Sequence, residues 1–292
     1  MAAAGSGVLV GAAIVATRFA VGEVQPLTLA MLRYSIGFAC LLPFAWRGFA
    51  TVWKAAPRDF AAMAALGILQ FGVLIALMNY GLRHIGAAQA SLIFSLAPLL
   101  TLLLSAALGR ERVTWPLLLG VAISIAGVAL ALTPKLQGTH AGHWWGEAAV
   151  AASALVGAAC SVLYRPYLMR YPTIPVSAFA MLASVIVLAL FALTEQWPAH
   201  ITTFNAPAWV AMLFIGLASG VGYFWWLYAL KHESPTRVTV FLALNPVTAA
   251  LLGWLVLGEP LHATAWGALV LIAVGLWLAT RRKPHDPRNN RA

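Results

Sequence analysis

Long apolar stretches alternate with short polar segments along almost the whole chain. A bilayer core of about 30 Å requires about 20 apolar helical residues to span it. The apolar stretches here have about that length, and Gly and Pro recur inside them, as membrane helices tolerate. The pattern therefore predicts an all-α membrane protein of about ten transmembrane helices. The ten stretches lie at roughly 3–21, 27–46, 59–82, 86–108, 114–133, 146–168, 175–194, 207–230, 235–257 and 262–280.

The second half of the chain repeats the first when the sequence is displaced by 148 residues. The matches run without a gap through four stretches and pair Gly72 with Gly220, Tyr80 with Tyr228, Pro98 with Pro246, Glu111 with Glu259 and Gly127 with Gly275. Each half then holds five spans, and an odd number makes the second half enter the membrane from the opposite side. We expect two inverted five-helix repeats around a central cavity, at 1–133 and 146–280, followed by a basic cytoplasmic tail at 281–292.

Composition and charge support this topology. The chain of 292 residues is 62% hydrophobic and only 9% charged, too little charge to cover a soluble protein of this size. With a cytoplasmic N-terminus, fourteen of the 18 Lys and Arg residues fall in inner loops or the tail, whereas Arg83 and Lys135 fall in outer loops and Arg18 and Arg33 near outer span ends. Positive loops stay inside, so both termini should be cytoplasmic. The net charge of +10 then indicates contact with anionic lipid, not nucleic acid.

The ends of the two halves share a motif: a mid-span Pro, a Glu in a short loop, and a helix with a glycine step. Its residues are Pro98, Glu111, Gly120 and Gly127 in the first half, and Pro246, Glu259, Gly267 and Gly275 in the second. Over nearly its whole length the chain resembles the EamA-type branch of the drug/metabolite transporter superfamily. The resemblance implies a ten-helix basket with a central cavity, which usually exports amino acids or other metabolites across the inner membrane of bacteria.

Chemical motifs give no sign of catalysis. The chain has no G-x-x-x-x-G-K-[ST] phosphate loop, no Cys/His cluster with metal-ligand spacing, and no convergent nucleophile and base. His140 and His143 stand alone as a pair in a loop. We expect no enzyme activity, no cofactor and no metal.

The eight acidic residues all lie at span ends or in loops. Proton-coupled antiporters usually keep a carboxylate within the membrane, where it can titrate. The pattern therefore favours facilitated diffusion, with a proton-coupled exporter as the alternative. Glu111 and Glu259 begin the fifth and tenth helices, where a carboxylate stabilises the helix N-terminus.

Few polar side chains fall near the middle of a span. Such groups must face protein or a water-filled cavity, since an unpaired polar group facing lipid costs several kcal/mol. Aromatic side chains could supply cavity walls, although Trp226 lies about a turn from a span end, where Trp often marks the membrane interface. Bonds between helices explain the polar residues equally well. The candidate substrate-binding residues are Gln70, Tyr80, Ser95, Tyr164, Tyr223, Trp226 and Asn245.

These features favour an exporter of small metabolites that works by alternating access without ATP hydrolysis. Amino acids, including aromatic and other neutral ones, are the favoured cargo, because a midplane without acids suits zwitterions held by scattered dipoles. A nucleotide-sugar carrier, a drug carrier, a channel and a membrane-embedded enzyme stay open as alternatives, as does the oligomeric state.

Overall fold

A computed structural model describes residues 2–109, 114–136, 144–201, 204–233, 238, 244–258 and 263–280. The predicted tail, Glu111, Glu259, His140 and His143 lie outside these residues. Within the described ranges the chain is almost entirely helical and contains no strand. Its long helices are α1 (Ala2–Ala20), α2 (Pro26–Ala45), α3 (Pro57–His84), α4 (Ala87–Ala107), α5 (Trp115–Leu136), α6 (Trp145–Arg170), α7 (Thr173–Ala192), α8 (Ala206–His232), α9 (Leu244–Leu257) and α10 (Ala263–Thr280).

The lengths and hydropathies of these helices match membrane spans. Among the described residues, six helices are long and apolar enough to cross a bilayer, and four shorter apolar helical stretches fall in α1, α5, α9 and α10. Short helices at Phe49–Trp53 and Trp197–His200 follow α2 and α7. The prediction of about ten transmembrane helices is confirmed.

The packing of the helices follows a pseudo-twofold symmetry that exchanges the first five with the last five. Three pairs join direct counterparts: α2 packs on α7, α4 on α9, and α5 on α10. The remaining contacts come in matching sets, because α1 packs on α8 and α9 just as α6 packs on α3 and α4. The fold is therefore two inverted five-helix repeats, interlocked so that each repeat buries the first helix of the other.

Small residues allow the closest helix crossings. A Cβ atom added at Gly67 of α3 would lie 2.5 Å from the carbonyl oxygen of Ala180 in α7. At the symmetry-related crossing of α2 and α8, a Cβ at Gly220 would lie 3.1 Å from the carbonyl oxygen of Gly37. Membrane helices associate through such close backbone packing, since lipid supplies no hydrophobic drive between them.

Two helices depart from regular geometry. Residues Ile68–Val73 of α3 form a π-helical turn, in which the N–H of Leu74 donates to the carbonyl of Leu69. Helix α4 is interrupted at Ser95–Leu96, and Pro98 lies in the first turn of its second part, where a missing N–H costs nothing. The counterpart of α3, α8, is regular throughout.

Polar contacts join the repeats at both ends of the bundle. At the end where α2 begins, the Glu195 carboxylate accepts hydrogen bonds from the N–H groups of Leu27 (3.0 Å) and Thr28 (2.7 Å) and from the Thr28 hydroxyl (2.8 Å). At the opposite end, Asp59 accepts from Arg170 (3.3 Å) and from the Tyr171 hydroxyl (2.9 Å). The bond to the Asp59 carboxylate raises the pKa of Tyr171.

Candidate substrate cavity

A cavity of about 110 Å³ lies where the two repeats meet. Helices α1, α2, α3 and α4 of the first repeat and α6 and α8 of the second all contribute to its lining, which is mostly apolar. One buried water needs about 10–15 Å³ of such space, so the cavity has room for a small organic molecule. Its position between the repeats is where transporters with inverted repeats bind their cargo.

A series of aromatic rings in tilted and edge-to-face contact forms one wall. The Tyr34 ring of α2 packs on Phe71 of α3 with a centroid distance of 4.6 Å, and Phe71 meets Tyr223 of α8 edge to face at 4.3 Å. Tyr164 of α6 continues the stack behind Tyr223, at 6.5 Å. The wall thus draws rings from α2, α3 and α8, and so from both repeats, with Tyr164 of α6 behind it. It can pack against an apolar or aromatic cargo.

Three of the seven predicted residues line this cavity: Gln70, Tyr223 and Trp226. Gln70 and Phe71 lie in the π-helical turn of α3, and both line the cavity. Trp226 is buried among the lining residues, so its ring faces the protein interior.

The other four predicted residues do not line the cavity, and their part in binding stays a prediction. Tyr80 is 42% exposed and stacks on His84 at the end of α3. Ser95 is buried and donates to the Leu92 carbonyl at the break of α4 (2.6 Å). Tyr164 lies behind Tyr223 in the aromatic stack.

Asn245 is the fourth predicted residue that does not line the cavity. It is fully buried at the crossing of α9 and α1, where its backbone carbonyl approaches Gly11 so closely that a Cβ there would lie 2.9 Å away. Neither atom of its side-chain amide has a hydrogen-bond partner among the described residues. An unpaired buried amide destabilises the fold, so packing alone gives no reason for an Asn at this position.

Arg33 is a cavity residue that is absent from the predicted set. It lies on α2, is 9% exposed, and donates from Nε to the hydroxyl of Ser219 on α8 (2.5 Å). The carbon at the centre of its guanidinium lies 5.4 Å from the centroid of the Tyr34 ring. The signal in the sequence was a lone Arg inside an apolar span with no acid three or four residues away, because ionisable residues inside membranes usually mark a functional site.

The charge of the cavity follows from its lining. Arg33 is the one charged residue among the described lining residues, and none of them is an Asp or Glu. No group of three or more His, Cys, Asp or Glu residues suited to a metal ion occurs in the described ranges. The cavity is therefore positive and apolar over most of its area.

Comparison with known proteins decides the family. The sequence profile of the EamA-like transporter family matches this chain twice, at residues 1–133 and 144–281. The chain belongs to the EamA-like transporter family. The double match agrees with the two five-helix repeats seen in the fold, and it identifies the chain as a multi-pass membrane transporter and not an enzyme.

Individual proteins give further comparisons. An uncharacterized transporter of Archaeoglobus fulgidus is 29% identical over 94% of this chain and 95% of its own. A probable terminal-alkyne amino-acid exporter of Streptantibioticus cattleyicolor is 31% identical over 77% of this chain and 74% of its own. A crystal structure superposes with a TM-score of 0.63 at 24% identity, over 94% of this chain and 96% of that one, which shows the same fold.

Proposed function

We propose that this transporter exports small metabolites, with amino acids as the favoured cargo, by alternating access without ATP hydrolysis. The observation that carries the proposal is the cavity between the two repeats, because helices of both repeats line it and it has an aromatic wall and few polar groups. The similarity to a probable amino-acid exporter supports the cargo class.

Alternating access follows from the symmetry of the packing. We propose that the repeats, at 1–133 and 146–280, exchange conformations, which opens the cavity first to one side of the membrane and then to the other. Gln70, Tyr223 and Trp226 would contact the cargo directly in this state. Tyr164 would hold Tyr223 in place through the ring contact at 6.5 Å.

Facilitated diffusion is the mechanism that the cavity favours. Purified protein in liposomes loaded with unlabelled neutral amino acids should accumulate labelled amino acid by counterflow without ATP. Counterflow should persist when a protonophore removes the proton gradient, because no carboxylate that could carry a proton lines the cavity among the described residues. The measurement is the initial rate of uptake with and without protonophore.

Liposomes without protein and liposomes loaded without amino acid serve as controls. If none of the neutral amino acids tested shows counterflow, the proposed cargo class is contradicted. Counterflow that the protonophore abolishes would instead leave the cargo class intact and favour the proton-coupled alternative.

We place the protein in the bacterial inner membrane with both termini in the cytoplasm, on the basis of the fourteen-to-four distribution of Lys and Arg. A reporter that is active only in the cytoplasm should work when fused after Arg291 and fail when inserted near His200. The opposite pattern would overturn this orientation while leaving the fold unaffected.

A further inference from the structure

Most of the hydrogen-bonding capacity of Arg33 is unused. A guanidinium has five N–H donors, and the Nε–H donates to the Ser219 hydroxyl, which itself donates to the Ile215 carbonyl (2.6 Å). The two terminal nitrogens, with four N–H groups, have no hydrogen-bond partner among the described residues. Because Arg33 is more than nine-tenths buried and lines the cavity, these donors face the space that the cargo would occupy.

The charge of Arg33 is also uncompensated. Charged side chains inside membrane proteins usually pair with an opposite charge, yet no Asp or Glu lines the cavity in the described part of the chain, and Tyr34 offers only the face of its ring. The bond to Ser219 fixes the direction of the guanidinium without neutralising it. A guanidinium held in this way can bind an anion reversibly.

We propose that Arg33 binds the carboxylate of the cargo, so that the cavity selects small molecules with one carboxylate and an apolar remainder. The planar fork of two terminal nitrogens matches the two oxygens of a carboxylate. The apolar remainder would pack on the rings of Tyr34, Phe71 and Tyr223. This inference rests on the proposed function and deepens it, since it replaces scattered dipoles with one fixed positive charge.

An amino group on the cargo would find acceptors in the same cavity. The hydroxyls of Thr17 and Tyr223 are buried and line the cavity, and the Thr17 hydroxyl has no hydrogen-bond partner among the described residues. Hydroxyl oxygens can accept from an ammonium. A zwitterion therefore fits, whereas a cation without a carboxylate would meet Arg33 as a like charge.

Binding to detergent-solubilised full-length protein tests the carboxylate without requiring transport. N-acetyl-phenylalanine and N-acetyl-leucine should each stabilise the protein in thermal denaturation at concentrations about 10- to 100-fold lower than their uncharged amides, since hydrogen bonds to a charged group have that effect on affinity. Equal stabilisation by acid and amide, or by neither, would overturn the proposal. Equal stabilisation by chloride or phosphate would show a general anion site and would overturn the carboxylate assignment.

Substitutions assign the effect to Arg33. Arg33→Gln should remove the preference for acid over amide, and Arg33→Lys should keep the sign of the preference and reduce its size, because Lys has the charge without the fork. Arg83→Gln is the matched control: Arg83 is exposed at the end of α3, where it donates to Gln25, and its loss should leave the preference unchanged. If Arg33→Gln does not fold, the comparison of acid with amide in wild type and in Arg33→Lys still tests the proposal. A preference for acid over amide that is undiminished in either variant would contradict it.

Counterflow separates this inference from the proposed function. Counterflow of amino acids without any preference for acid over amide in binding would leave the exporter standing and remove the role of Arg33. Binding with that preference but without counterflow of any amino acid would leave the role of Arg33 standing and remove the amino-acid exporter.

Discussion

Gly67→Ala should lower the melting temperature of the purified protein by several degrees. The added Cβ would lie 2.5 Å from the carbonyl oxygen and 2.7 Å from the Cα of Ala180, and both are backbone atoms that cannot rotate away. Helices α3 and α7 would have to separate, and overpacking of this kind costs about 1–3 kcal/mol. The measurement is thermal denaturation in detergent, followed by the loss of a monodisperse peak in size-exclusion chromatography.

Gly222→Ala is the control for this substitution. It also exchanges a helical Gly for Ala, but the nearest side-chain atoms, those of Leu9, lie 3.8 Å from the new Cβ. Ala is about 0.8–1 kcal/mol better than Gly inside a helix, so Gly222→Ala should leave the melting temperature unchanged or raise it. Equal effects of the two variants would show that close crossing of α3 and α7 is not what makes Gly67 sensitive.

Glu195→Ala should lower the free energy of unfolding by about 1–2 kcal/mol, the upper range for losing a helix cap. Pro26 has no N–H, so the next two N–H groups, on Leu27 and Thr28, are the first free donors of α2, and Glu195 accepts from both. Its carboxylate therefore caps a helix of the other repeat. Thermal denaturation of the variant beside wild type measures the loss.

Glu195→Gln separates the two contributions of this side chain. A glutamine keeps one carbonyl acceptor but loses the charge that favours the positive end of α2, so its stability should lie between those of wild type and Glu195→Ala. If Glu195→Ala is as stable as wild type, water must replace the carboxylate at the N-terminus of α2 without cost.

The fold could be predicted because its signals are local or repeated. Lipid imposes a length and a hydropathy on each span, so ten apolar stretches give ten helices whatever their contacts. The repeat at a displacement of 148 residues then gives five spans to each half, and an odd number of spans makes the second half inverted. The π-helical turn at Ile68–Val73 could not be predicted in this way, because it changes neither the length nor the hydropathy of α3.

The site was harder to predict because lipid and the cavity are both largely apolar. In a soluble protein the polar face of a helix marks solvent, but in this bundle hydropathy does not show which way a residue points. Tyr80 and Tyr223 look alike in sequence, yet Tyr80 is exposed beside His84 and Tyr223 lines the cavity. Arg33 escaped prediction because its charge was counted toward topology. The absence of an acid among the described residues that line the cavity is a property of the packed bundle.

The π-helical turn makes the two repeats unequal where they line the cavity. Helix α3 presents Gln70 and Phe71 from a widened turn, whereas its counterpart α8 presents Tyr223 and Trp226 from a regular helix. In the proposed alternating-access cycle, the inward-facing and outward-facing pockets would therefore be different pockets. For an uncoupled carrier, the ratio of the maximal rate to the half-saturation concentration must be the same in both directions (the Haldane relation). The maximal rate and the half-saturation concentration can each differ between the two directions. Unequal pockets would allow a high half-saturation concentration together with a high maximal rate on the cytoplasmic side. Such a carrier would release a metabolite in proportion to its pool and would not saturate when the pool is high.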